Sequence, residues 1–230
     1  MDKRLIASDF DGTIFINGEI SGQDREGIKL WRESGRYFGV VTGRGKDFFD
    51  KAKEVGLDLD YYILCNGSLI ADSDRNIIYS SPIDRELFTQ IYRLFMSFDD
   101  LQFCSEPDNE VKYQFYSTFP SVERALEAAD LVNEKFAGRA AAVVNGTHVN
   151  IGNAGTGKAE SVYIILKHFG LSEDDAAVVG DDYNDLDMIK EHSGWAVLSG
   201  KPAVVSAAPH TCESVGDLAL TLLKKNDSEV

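Results

Sequence analysis

The chain of 230 residues is 43% hydrophobic and carries 38 acidic against 23 basic side chains, a formal charge of −15. That is enough apolar material to bury a core, organised at this length as one large domain or two modest ones, and it excludes a disordered or collagen-like chain. The acidic excess repels polyanions, and residues 82–152 hold six basic against eleven acidic side chains, so no local stripe invites nucleic acid.

The longest apolar runs, such as Val162 to Leu166, fall far short of the ~20 residues a bilayer-spanning helix needs, so no membrane partner is expected. Met1-Asp2-Lys3-Arg4 runs straight into Leu5-Ile6-Ala7-Ser8-Asp9, which reads as a first strand and not as a signal peptide, giving the expectation of a cytoplasmic address. Cys65, Cys104 and Cys212 show neither zinc-site spacing nor a disulfide framework and read as buried small hydrophobes.

After Leu5–Asp9 a helix is expected near Asp24 to Glu33, a strand over Tyr37–Thr42, a helix from Gly45 to Gly56 and a strand over Tyr61–Asn66, which is βαβ grammar. Leu69 to Ser80 reads as a hairpin turning at Asp72-Ser73-Asp74. From Asp84 the rhythm changes. Leu87, Ile91, Leu94, Phe95 and Phe98 share a helical face, and strands are expected over Leu101–Ser105 and Val111–Thr118. Val122, Ala125, Leu126, Ala129, Val132 and Phe136 mark a second buried stripe, and Ala140–Asn145 pairs with Thr147–Ile151 across Asn145-Gly146. This αββαββ order over residues 82–152 reads as an α+β unit inserted between core segments 1–81 and 153–230. The βα pattern then resumes with a helix carrying Val162, Ile165, Leu166 and Phe169. A strand over Ala176–Gly180, a strand over Trp195–Leu198, a short helix from Pro202 and a last helix over Val215–Lys225 complete it, with Asn226 to Val230 frayed.

Asp9-Phe10-Asp11-Gly12-Thr13 puts two carboxylates on one face of a strand's end, where Gly12 lets the chain turn and both can enter a crevice. An acidic turn is the competing reading; a calcium loop lacks its later ligands. Gly180-Asp181-Asp182-Tyr183-Asn184-Asp185 crowds further acid at another strand end. One of these side chains can cap the following helix, but several carboxylates together call for a cation, and hard oxygen ligands suit Mg²⁺. Thr42-Gly43-Arg44 and Cys65-Asn66-Gly67 could be ordinary caps and turns, yet with the acids they complete a rim of Asp9, Thr42, Asn66 and Asp181 at one sheet edge. Gly152 to Lys158 imitates a nucleotide-binding loop, but Ala159 stands where that loop needs Ser or Thr. Lys158 is then either a surface lysine or an ammonium that reaches an anion at the rim.

Taken in order, Asp9-Phe10-Asp11-Gly12-Thr13, Thr42-Gly43-Arg44, Lys158 and Gly180 to Asp185 resemble the haloacid dehalogenase superfamily, most closely its Cof-type subfamily IIB. The resemblance spans the chain and implies a Rossmann-like α/β core with an inserted cap of the C2b kind. It further implies a Mg²⁺-dependent phosphatase that passes through an aspartyl-phosphate and acts on small phosphorylated metabolites, often sugar phosphates. Carried over by position, Asp9 is the nucleophile and Asp11 the general acid and base. Mg²⁺ is held by Asp9, Asp181 and the backbone carbonyl of Asp11 with Asp185 nearby, while Thr42, Gly43, Lys158 and Asn184 hold phosphate. Leu198-Ser199-Gly200-Lys201-Pro202 departs from the branch's usual Met-Gly-Asn-Ala stretch. A cap sheet would turn Lys112, Gln114, Tyr116, His148 and Asn150 away from its helices. Either that face is solvated, or Lys112, Gln114, Tyr116 and His148 join Arg44 and Asn66 as a specificity set. A phosphomutase and a non-catalytic phosphometabolite sensor are the competing functions, and no oligomeric state is implied.

Overall fold

In the computed structural model, which describes residues 3–227, the apolar runs form strands buried on both faces and the periodic stretches form the helices that cover them. The first part comprises β1 (Leu5–Ser8), α1 (Gly22–Glu33), β2 (Tyr37–Val41), α2 (Phe48–Glu54), β3 (Tyr61–Leu64), β4 (Leu69–Asp72) and β5 (Ile77–Ser80). Next come α3 (Arg85–Phe95), β6 (Phe103–Cys104), β7 (Phe115–Thr118), α4 (Val122–Lys135), β8 (Ala140–Asn145) and β9 (His148–Asn153). The chain closes with α5 (Lys158–His168), β10 (Ala176–Gly180), α6 (Leu186–Glu191), β11 (Trp195–Val197), α7 (Pro202–Ala207), β12 (His210–Cys212) and α8 (Val215–Asp227).

The larger sheet has the order β12-β11-β10-β1-β2-β3-β4-β5, parallel from β12 to β3 and antiparallel at β4 and β5. Its period-2 alternation separates two apolar layers. Ile6, Val40, Ala177 and Val179 pack with Ile28 and Trp31 of α1 and Leu218 and Leu222 of α8. Leu5, Ala7, Val41 and Val178 pack with Val162, Ile165 and Leu166 of α5 and Met188 of α6. The chain leaves β1 toward β2 and returns on its other side at β10, so the carboxyl end of β1 is a topological switch point, where open α/β sheets bind ligands.

The smaller antiparallel sheet, β6-β7-β9-β8, carries α3 and α4 on one face, with Leu87, Phe88, Ile91 and Phe95 meeting Ala125, Ala129, Val132, Phe115, Val149 and Ile151. Side-chain caps start both helices: Asp84 accepts from the amides of Glu86 and Leu87, and Ser121 from that of Arg124.

Several expectations are corrected. The strand expected over Val111–Thr118 exists only from Phe115. Val111 is 63% exposed, Tyr113 packs on the larger domain's core, and Lys112 turns back to Asp108, so tertiary contacts break the alternation there. The Leu101–Ser105 strand shrinks to two residues, and Val122 and Leu126 face outward from α4. The β8–β9 loop is Gly146-Thr147, with Asn145 opposite His148, one residue beyond the expected turn. The Tyr61–Asn66 strand stops at Leu64, where Cys65 and Asn66 adopt φ of 53° and 52° and turn the chain. Strand β12 was not foreseen, and α8 continues through Asp227 where fraying was expected; Ser228 to Val230 lie outside the described residues. All three cysteines are free and buried, and no helix among the described residues is long and apolar enough to cross a membrane.

Candidate active site

The carboxyl edges of β1, β2 and β10 and the start of α5 bring the acidic motifs together. Asp9 leaves β1 almost fully buried, and Lys158, first residue of α5, reaches it from the other side. The Lys158 Nζ donates at 2.6 Å to Asp9 Oδ1 and at 2.6 Å to Asp185 Oδ1. Asp185 spends its second oxygen on the backbone amides of Asp181 and Asp182, at 3.0 and 3.2 Å, tying the turn after β10 into a closed loop. Asp182 caps that turn through the amide of Tyr183, and Asp185 completes the capping box, so each of these two acids has a structural task.

Thr13 Oγ1 donates to Asp181 Oδ1 at 2.7 Å. Gly12, at φ +91°, passes directly under the same carboxylate. A Cβ there would stand 2.4 Å from Asp181 Oδ2, so both the backbone conformation and the close approach require glycine. Carboxylate oxygens of Asp9, Asp181 and Asp185 lie within 4.8 Å of one another. Three carboxylates against one ammonium leave two negative charges in a buried site, a deficit one dication cancels. No described residue bonds Asp9 Oδ2 or Asp181 Oδ2, whereas both oxygens of Asp185 are engaged. The donor set therefore fits a hard dication held by Asp9 and Asp181, with Asp185 orienting the lysine and the loop.

Titration follows the same arrangement. Burial, with Asp185 and Asp181 adding to it, pushes the Asp9 carboxyl well above the usual range against the pull of Lys158. Burial also works against the Lys158 charge, yet Asp185 and Asp9 hold that amine above its ordinary value, so it stays an ammonium. Asp181 is raised to about 6 by desolvation, with Asp185 and Asp182 contributing and Thr13 opposing.

Asp11 does not join this cluster through its side chain. It faces outward and is gripped by Arg44, whose Nε and Nη2 each donate at 2.7 Å to one of its oxygens. Thr42 Oγ1 accepts from the Arg44 amide at 3.2 Å, and the carbonyl of Gly43 accepts from Gln114 Nε2 at 2.9 Å, a direct link from the smaller domain to this loop. Together with Asp9, Asp181 and Asn184 these residues line a crevice of about 600 Å³ whose opposite wall carries Tyr116, His148 and Asn150. Tyr116 Oη and Thr118 Oγ1 both meet His148 Nδ1, at 2.7 and 3.0 Å.

Two of the expected specificity residues lie elsewhere. Lys112 pairs with Asp108 at 2.5 Å and lines a separate groove beside Pro82 and Val111. Asn66 lines a smaller side cavity of about 240 Å³ that it shares with Gln114 and Lys158. Sequence reasoning gave no role to Thr13, Asp47 or Asn145, which the fold brings to the site or its crevice, and read Asp182 as one of three candidate helix caps, a task it performs while also lining the crevice. Thr13 was readable in principle, since a hydroxyl two residues after Asp11 falls in the same turn.

Comparison with known proteins agrees with this geometry. The family described as haloacid dehalogenase-like hydrolase matches residues 6–125 and 105–220. The chain is 24% identical over 213 residues to 5-amino-6-(5-phospho-D-ribitylamino)uracil phosphatase YcsE of Bacillus subtilis, covering 87% of this chain and 85% of that protein. Its fold superposes with TM-score 0.81 and 16% identity on a haloacid dehalogenase-like hydrolase from B. subtilis, over 96% of this chain and 99% of the other. A structure described as the subclass IIB sugar phosphatase BT4131 gives TM-score 0.78 at 18% identity, over 99% and 100%. With the family matched over residues 6–125 and 105–220 and the acidic motifs converging at the switch point, this chain belongs to the haloacid dehalogenase-like hydrolases.

Proposed function

We propose that the chain is a Mg²⁺-dependent phosphatase that hydrolyses small phosphorylated metabolites, sugar phosphates among them, through an aspartyl-phosphate on Asp9. The observation that carries this reading is the meeting of Asp9, Asp181, Asp185 and Lys158, from three separate stretches of chain, in one buried cluster with two carboxylate oxygens left open.

Asp9 attacks the phosphorus, the ester P–O bond breaks, and the leaving oxygen takes a proton from Asp11. Asp11 then removes a proton from the water that attacks the aspartyl-phosphate, releasing inorganic phosphate and restoring Asp9. An anionic carboxylate approaching a phosphate meets a repulsion of about 4 kcal/mol per charge pair at 4 Å with an effective dielectric near 20. Lys158 offsets part of it from within bonding distance of Asp9. The dication, when bound, supplies the remaining charge neutralisation. Thr42, Gly43 and Asn184 line the crevice and are the groups that would receive the phosphoryl oxygens. Asp11 takes up its role by giving up one of its two bonds to Arg44, which frees a guanidinium donor for the transferred phosphoryl group.

The reading is tested by release of phosphate from p-nitrophenyl phosphate with Mg²⁺ and with a chelator, beside Asp9→Asn. Turnover that needs both the ion and Asp9 supports it; hydrolysis indifferent to either removes it. Retention of the phosphoryl group on a second hydroxyl would mark a mutase instead.

A further inference from the structure

Beyond the phosphoryl position the crevice has a charge pattern of its own. Asp47 and Asp182 stand on the wall formed by the larger domain, and Gln114, Tyr116, His148 and Asn150 stand opposite. Three cations on the adjoining segments are engaged elsewhere, and Lys201, whose backbone amide donates to the Asp181 carbonyl, does not line the crevice. Lys158 is held by Asp9 and Asp185. Lys46 is turned onto the Tyr113 ring, 5.0 Å from its centroid, and does not line the crevice. Arg44 is the one lysine or arginine lining the crevice among the described residues, and Asp11 occupies it in a bidentate pair. Whether Arg44 holds Asp11 or the transferred group, it is not left over for the rest of the ester.

The facing wall carries no lysine, arginine or carboxylate among the described residues. His148 spends Nδ1 on the hydroxyls of Tyr116 and Thr118, and no described residue engages its other ring nitrogen. Gln114, fixed by its bond to the Gly43 carbonyl, keeps Oε1 without a partner. With a dication neutralising the inner cluster, Asp47 and Asp182, neither of them in an ion pair among the described residues, add negative charge beside the space a leaving group fills, while Arg44, the cation that feels Asp47, is held by Asp11. A carboxylate or second phosphate on that group meets them with no cation to answer it, whereas hydroxyl or ammonium donors meet acceptors.

We propose that this crevice takes phosphomonoesters whose leaving group carries no negative charge, with Asp47 and Asp182 as the residues that turn an anionic leaving group away. The inference rests on the phosphatase reading and names its substrate class.

The test uses the Mg²⁺-loaded full chain and three esters of matched size: hydroxyethyl phosphate, phosphoethanolamine and phosphoglycolate, which are neutral, cationic and anionic beyond the phosphoryl group. Esters turned over too slowly to follow are read as competitive inhibitors of p-nitrophenyl phosphate hydrolysis. The expected kcat/KM for phosphoglycolate, or its affinity as an inhibitor, is at least about tenfold below that of hydroxyethyl phosphate, with phosphoethanolamine equal or better. In the Asp47→Asn/Asp182→Asn variant the ratio of anionic to neutral ester closes to within about threefold, because the charges are gone while asparagine still caps the turn after β10. Equal use of phosphoglycolate and hydroxyethyl phosphate by the unsubstituted protein overturns the inference whatever the variant does. Aryl phosphate hydrolysis alongside that equality leaves the phosphatase reading standing, and no hydrolysis of any ester, aryl phosphate included, removes both.

Discussion

Replacing Lys158 with methionine isolates the charge that holds the acidic cluster together. The ammonium makes two contacts of 2.6 Å, to Asp9 and Asp185, with side-chain exposures of 3%, 9% and 0% for the three groups. At an effective dielectric near 20 each contact is worth about 6 kcal/mol of Coulomb attraction before the cost of taking the ions out of water is subtracted. Methionine keeps the length but not the charge and leaves the carboxylates unanswered, a change that costs about 3–5 kcal/mol where buried pairs are broken from one side. For a chain of this size that corresponds to a fall in Tm of about 6–20 °C in chelator.

The sign with pH follows from the raised amine. Its contribution is fully present below the unfolded lysine's pKa and is lost as pH rises through the higher folded value, so the wild-type protein keeps it across the neutral range. In Lys158→Met the deficit shrinks on acidification as the carboxylates protonate, and it shrinks on adding Mg²⁺. The assay is urea unfolding with and without Mg²⁺, together with turnover of an aryl phosphate, expected to fall about 100–1,000-fold. An unfolding free energy in chelator within about 1 kcal/mol of wild type, with activity retained, would refute the reasoning.

Asp181, raised to about 6, must lose its proton to take a dication, so the apparent Kd for Mg²⁺ weakens by up to about tenfold per pH unit below that value; calorimetric titrations showing a flat Kd there would contradict it. Because its folded pKa lies above the unfolded one, the same group makes the metal-free protein more stable as pH falls from about 6 toward 4, which chelator-treated melting curves can follow. Gly12→Ala adds a Cβ 2.4 Å from Asp181 Oδ2 at φ +91° and is expected to cost about 1–3 kcal/mol and to abolish Mg²⁺ binding. Gly35→Ala, at φ +80° with nothing within 4 Å, carries backbone strain alone and leaves Mg²⁺ affinity unchanged; equal effects of the two on affinity would argue against the steric explanation.

What could be read from the chain was whatever local pattern decides. The parallel strands are continuous apolar runs, the helices between β5 and β9 have clear stripes, and the acids crowd at strand ends close to Gly12 and Gly180. Lys158 was singled out as an ammonium that could reach an anion at the rim only by its company with the other motifs, since no local signal separates it from a surface lysine; the structure pairs it with Asp9 and Asp185. Contacts across domains were not legible. Tyr113 leaves its expected strand because the larger domain's core and Lys46 accept its ring, and Gln114 reaches the Gly43 carbonyl. The bidentate grip of Arg44 on Asp11 joins residues 33 apart and has no periodicity to announce it. Strand β12 is three residues at a sheet edge, two of them exposed, and is held by backbone pairing that composition does not record.

The destination of the phosphoryl group is the decisive observable. Rapid acid quenching during turnover of a phosphoryl-labelled ester, followed by peptide mapping, should place a hydroxylamine-sensitive label on the peptide containing Asp9, and the label should vanish in Asp9→Asn. Label on another residue, or an Asp9→Asn protein that still turns over the ester, would contradict it.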